Sequence, residues 1–143
     1  MTTASALVET LRAFFEPGRE VLEAYLFGSA ATGSAQRHSD IDVAVYVNDP
    51  SPPASAFGYP AELTSELMST LRTNRVDLVI LNEAPPLLYH RVLRDGVRLL
   101  SRNLAATTTR EGQALSRYCD FVPQLAKIEA AHRARTLGGR FGQ

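Results

Sequence analysis

The chain has one cysteine, Cys119, so no internal disulfide and no cysteine-based metal centre can form. It has no excess of either charge, because 15 Lys and Arg balance 15 Asp and Glu. No global field draws it to nucleic acid or to a membrane surface, and direct nucleic-acid binding is disfavoured. Lys127 is its only lysine; the other cationic side chains are arginines. No run approaches about 18 apolar residues, and no basic stretch followed by an apolar one marks the N-terminus. A cytosolic protein without a membrane partner is expected.

What is present suits one globular domain. A chain of 143 residues is long enough for an independent core, burying roughly 70% of its unfolded surface. Residues 3–15 carry Leu7, Val8, Leu11, Phe14 and Phe15 at helical spacing, and Pro17-Gly18 stops that helix. Ala24 to Phe27 reads as a buried strand bounded by Gly28, and Ile41 to Val47 as a second strand. Asn48 to Pro60, with Pro50, Pro52, Pro53, Gly58 and Pro60, is a connector, either a surface linker or a lid. A helix over residues 61–72 then crosses to a strand over 75–81, which favours a parallel pair with a right-handed connection.

Pro85 and Pro86 open a helix over 87–94, Asp95-Gly96 ends it, and residues 97–100 form an edge strand. Residues 104–109 read as a linker and 110–134 as a long helical segment that Pro123 should kink or divide. The tail from Thr136 is expected to be mobile. Residues 110–143 hold six basic and three acidic side chains, a slight positive excess on a segment suited to a partner surface or to capping the core. The expected fold is α/β, a small mixed β-sheet with flanking helices, mainly on one face, and a C-terminal helical extension. Residues 1–105 would be the core and 106–143 the extension, packed on the same domain.

The chemistry gathers around residues 23–47. In the second strand, the period of two puts Ile41, Val43, Val45 and Val47 on one face and Asp40 and Asp42 on the other. Two carboxylates side by side repel each other, and they need a cation or a shared proton. A hard divalent ion such as magnesium takes oxygen ligands of this kind. The turn before that strand is its complement. Gly28 admits a close ligand approach, and Ser29 supplies a hydroxyl and an amide at the first turn of a short helix, where N–H groups face an anion. A phosphate cradle beside a carboxylate pair is what a nucleoside triphosphate requires. Asp77, alone in the apolar run Val76 to Leu81, reads as a buried acid needing a partner or a metal, and would join Asp40 and Asp42 if the two strands are neighbours.

Gly28-Ser29, ten intervening residues, Asp40-x-Asp42 and a later strand aspartate resemble the polymerase-β-like nucleotidyltransferase superfamily. The short chain and the wording Ser39-Asp40-Ile41-Asp42-Val43-Ala44-Val45 look most like its minimal nucleotidyltransferase (MNT) antitoxins, partners of HEPN-domain toxins. The resemblance implies Mg²⁺-dependent transfer of AMP from ATP to a tyrosine hydroxyl of a cognate HEPN RNase toxin, neutralising it. It also implies that Asp40, Asp42 and Asp77 are catalytic and metal-binding, with Gly28 and Ser29 on the phosphates. Relatives often carry an arginine where this chain has Thr32, and Arg37 is a candidate to replace it.

Bland readings stand beside several of these. Arg37 is either a phosphate grip or a solvated loop arginine, and His38 reads as a surface histidine. His90 belongs on a helix face, and Tyr46 either lines the pocket or packs against a helix. Two other functions remain open: a catalytically weak antitoxin acting by complex formation, and a small-molecule transferase of the aminoglycoside-modifying kind.

Overall fold

The computed structural model describes residues 4–32, 39–48 and 58–141. Helix α1 (Ala4–Phe15) buries Leu7, Leu11 and Phe15, one turn apart on a single side. Arg102 closes its end, donating from Nη2 to the carbonyls of Phe15 at 2.6 Å and Gly18 at 3.1 Å. Strand β1 (Val21–Phe27) begins three residues earlier than the apolar run suggested, and every side chain in it but Leu22 is buried. A single helical turn, α2 (Ser29–Thr32), follows, and then β2 (Ile41–Val47).

Helix α3 (Tyr59–Leu71) leads to β3 (Val76–Ile80), with Arg72 in the left-handed region at φ 56 as the chain turns. A short 3-10 turn (Leu81–Glu83) connects to α4 (Pro86–Asp95), then β4 (Val97–Ser101) and α5 (Leu104–Phe141). Strand order is β3-β2-β1-β4. β1 is antiparallel to both β2 and β4, while β2 and β3 run parallel as their helical crossover requires. Beyond the end of β3, the side chain of Asn82 takes over the pairing of β2. Its Oδ1 accepts from the Val47 N–H at 2.9 Å and its Nδ2 donates to the Val47 carbonyl at 2.8 Å.

Helices cover both faces of the sheet, not mainly one. Ala24, Leu26, Val43, Val45 and Val47 pack under α1 and α3, with Leu11, Leu63 and Leu67. Tyr25, Phe27 and Ala44 pack under α4 and α5, with Tyr89, Val92 and Ala114. The reason lies in β1, whose two faces are both apolar, so each needs a covering layer.

Helix α5 also starts earlier than expected, since residues 104–109 are helical and not a linker. Asn103 caps it, its Oδ1 accepting the Ala106 N–H at 3.0 Å. The threonine run is accommodated because Thr108 and Thr109 donate their hydroxyls to the carbonyls of Leu104 and Ala105 at 3.0 and 2.9 Å. The helix passes through Pro123 undivided and reaches Phe141, so the tail expected to be mobile from Thr136 is helical that far. Pro123 and its neighbours Val122 and Gln124 are exposed, so the carbonyl the ring leaves unpaired can turn to water. Among the described residues, no helix is long and apolar enough to cross a membrane.

The inner half of α5 is fixed by a buried charge. Glu23 is fully buried in β1, where Arg110 donates to it twice, Nε to Oε2 and Nη2 to Oε1, each at 2.7 Å. Thr107 adds a third bond at 2.9 Å, and its hydroxyl meets that of Ser101 at 2.7 Å. The guanidinium of Arg110 also lies over the Tyr46 ring, 4.7 Å from its centroid.

Candidate functional site

The antiparallel register places Phe27 opposite Asp42, so the turn that follows β1 arrives beside that carboxylate. Gly28 adopts φ 73, a conformation costly for a residue with a Cβ. A Cβ built there would also collide with Oδ2 of Asp42. Glycine is therefore required twice over. Gly28→Ala is expected to lower the unfolding free energy by about 1–3 kcal/mol and to push Asp42 out of place. Urea melts and binding of an ATP analogue would check the two effects separately. After Gly28, α2 closes as one turn, with the amides of Ala31 and Thr32 donating to the Gly28 carbonyl at 3.1 and 3.3 Å. Ser29 is its first residue, half-buried, and the Thr32 hydroxyl donates to the Ser29 carbonyl at 3.3 Å.

The parallel register sets Asp42 directly beside Asp77. Partners in register on neighbouring strands project to the same side, so both carboxylates lie on the face that α4 partly covers. Asp40, two residues before Asp42, is exposed at the mouth of β2. Asp42 is half-buried, and its carboxyl is held above the usual range, first by desolvation and then by the charges of Asp77 and Asp40, with Arg91 opposing. The start of β2 is pinned by a 2.8 Å bond from the Ile41 N–H to the Arg75 carbonyl.

Asp77 differs from expectation in one respect: it is exposed, not buried. β3 is an edge strand and Asp77 stands exposed at its start, so the apolar sequence around it overstated its burial. Among the described residues, no ion pair includes Asp40, Asp42 or Asp77. Nor do the described residues contain three His, Cys, Asp or Glu side chains drawn together as a ready-made cage for an ion. The acids are an oxygen-only set in which burial and the neighbouring carboxylates raise the pKa of Asp42. That chemistry fits a hard divalent cation. Arg37 and His38 lie outside the described residues, as do residues 49–57 of the connector over residues 48–60 that reads as a linker or a lid.

The other side chains singled out from the sequence take structural places. His90 stacks on Tyr118 with centroids 3.6 Å apart and planes 3° from parallel. It borders a cavity of about 400 Å³ between α4, α5 and β4, where Tyr25 donates to Glu111 at 2.7 Å and Arg98 pairs with the same carboxylate at 2.6 Å. Tyr46 packs with the layer beneath α4 and α5, under Arg110. Arg91, the cation that Asp42 senses, drew no attention in the sequence. An arginine on an amphipathic helix carries no local signal, and only the packing of α4 brings it toward the acids.

The family model described as Polymerase beta, Nucleotidyltransferase matches residues 9–105. No curated protein sequence matches the chain. Among solved structures it is similar to a chain of a toxin-antitoxin complex with AMP-PNP, at 26% identity and TM-score 0.72, covering 87% of this chain and 98% of that one. It is similar at 25% identity and TM-score 0.62 to a chain of the tri-AMPylated Shewanella oneidensis HEPN toxin in complex with MNT antitoxin, covering 90% of this chain and 95% of that one. A chain of the toxin-antitoxin MntA-HepT is similar at 25% identity and TM-score 0.62, covering 90% and 96%.

Proposed function

The chain belongs to the polymerase β nucleotidyltransferase family, and from that premise we propose that it is an antitoxin that transfers AMP from ATP to a tyrosine hydroxyl of a cognate HEPN RNase toxin. The observation that carries this reading is the register of Asp42 with Asp77 on one face, beside the bend made by Gly28 and Ser29. The likeness to chains from complexes with AMP-PNP and with a tri-AMPylated HEPN toxin supports it. Residues 1–105 are then the transferase core and 106–143 a helical extension of the same domain.

In this reading Asp40, Asp42 and Asp77 would hold Mg²⁺. Bound there, the ions would neutralise phosphate charge and ease loss of the acceptor proton. The bend at Gly28 lets the phosphates come close to the backbone, and the Ser29 hydroxyl and amide hold a phosphate oxygen. Arg37 is assigned to the phosphates on the sequence resemblance alone. Asp77, exposed and nearest the open edge, orients the acceptor hydroxyl and takes its proton. The hydroxyl oxygen bonds to the α-phosphorus as the bond to the β-phosphate oxygen breaks, and pyrophosphate leaves in line.

Incubation with Mg²⁺, ATP and the candidate toxin is expected to add adenylyl mass to the toxin. No gain over an Asp40→Ala/Asp42→Ala control would reject transfer. Thr32, standing where relatives often carry an arginine, favours one second reading, a weak enzyme that neutralises by binding. It predicts that the same double variant still silences the toxin.

A further inference from the structure

Spacings of four and three residues alternate along α5 as one seam: Thr107, Glu111, Ala114 and Tyr118, then Phe121, Leu125 and Ile128. The body of the protein takes the first four. Thr107 donates to Glu23, Glu111 accepts from Tyr25 and Arg98, Ala114 is buried, and Tyr118 stacks on His90. Beyond them the support runs out. Helix α4 lies antiparallel to α5, since Arg94 shares a cavity with Glu111 and Leu115 while His90, about one turn earlier, meets Tyr118. α4 begins only at Pro86, whereas α5 continues from Tyr118 to Phe141, roughly 35 Å at about 1.5 Å per residue. From Leu115 to Thr136 no residue is buried. Of the five large apolar side chains exposed among the described residues, Ile128 is on the seam and Leu115 and Val122 flank it. Leu87, a fourth, shares its face of α4 with His90 and Arg94. One exposed leucine is ordinary, but a line of apolar side chains marks a surface that meets another protein.

The alternation of three and four selects a second helix as the cover, because helices pack along such a seam. Charge selects which helix. Residues 115–136 carry Arg117, Lys127, Arg133 and Arg135 against Asp120 and Glu129, all exposed. Two copies of this chain would set like charge against like, whereas carboxylates beside a partner's apolar face would be attracted. Direction ties the surface to the chemistry. α5 crosses β1 from Glu23 toward Tyr25, the way that β1 runs on to Phe27 and, across the ladder, to Asp42. The projecting half therefore leaves the body at the end of the sheet that carries the acids. We propose that the outer half of α5 docks an amphipathic helix of the toxin, apolar where it meets Phe121, Leu125 and Ile128 and acidic at its flanks. This rests on the antitoxin reading and supplies the surface that would hold the acceptor chain near the acids.

The test titrates the candidate HEPN toxin, without nucleotide, into the wild-type chain, Val122→Glu/Ile128→Glu and Leu104→Glu. The double variant sets two carboxylates on the proposed surface and is expected to weaken binding about a hundredfold. Leu104→Glu makes the same change on an exposed leucine at the inner end of α5 and should bind as wild type does. Wild-type affinity should fall as salt is raised, because the flanking charges contribute. All three substituted positions are exposed, so thermal melts should overlay, and AMP-PNP binding with Mg²⁺ should not change. Unaltered toxin binding by the double variant, or an equal loss in Leu104→Glu, overturns the docking surface while the wild type still modifies the toxin. A wild-type dimer that the double variant dissolves gives the seam to a second copy and overturns it too. A wild-type chain that neither binds nor modifies the toxin overturns the antitoxin reading with it.

Discussion

Asp42→Asn is expected to lower kcat/KM for nucleotidyl transfer by on the order of 10³-fold, about 4 kcal/mol of transition-state stabilisation, without weakening the fold. The amide keeps the size of the carboxylate and its fit beside Gly28, but gives up the negative charge proposed to hold the cation. The stability half of the expectation follows from the local electrostatics. Burial, then Asp77 and Asp40, raise the folded-state pKa of Asp42 above its usual value. The native state therefore holds the proton more tightly than the unfolded chain, and stability falls as pH rises through the carboxylate range. A neutral side chain removes that cost. In chelator at neutral pH, Asp42→Asn should unfold at the same or a higher urea concentration than wild type. A clear drop in stability would show that Asp42 serves the fold more than the chemistry.

Arg110→Ala carries the largest expected effect on folding. It leaves the Glu23 carboxylate fully buried with Thr107 as its remaining partner. Stranding one member of a buried pair costs about 3–5 kcal/mol, a large share of the stability of a domain this size. The loss should appear as a lower urea midpoint, accompanied by release of the inner half of α5. Replacing both partners, Glu23→Met with Arg110→Met, should recover much of it, because no charge then remains inside. A single variant within about 0.5 kcal/mol of wild type would mean that water reaches Glu23.

The same physics explains what the sequence made legible. The period-two face of β2 was readable because Ile41, Val43, Val45 and Val47 are uninterrupted, which left Asp42 to the other side. The strand carrying Asp77 was readable for the same reason, although its exposure was not, since burial depends on what lies beyond the edge of the sheet. Glu23 sends the same signal as Asp77, a charge inside an apolar strand. It went unread because its partner Arg110 stands 87 residues later and only tertiary structure joins them. The second helical layer was hidden because Tyr25, Phe27 and Ala44 sit on a face whose β2 residues include an acid. The start of α5 was hidden by its three threonines, which disfavour helix until Thr108 and Thr109 find backbone acceptors and Thr107 finds Glu23. Asn103 was there to be recognised as the cap.

The lone sulfhydryl has a practical consequence. Cys119 is exposed, one residue past the Tyr118 ring that leans on His90, where α5 leaves the body of the protein. A maleimide dye will therefore attach at one place and no other, without engineering. It would report on the exposed outer half of α5.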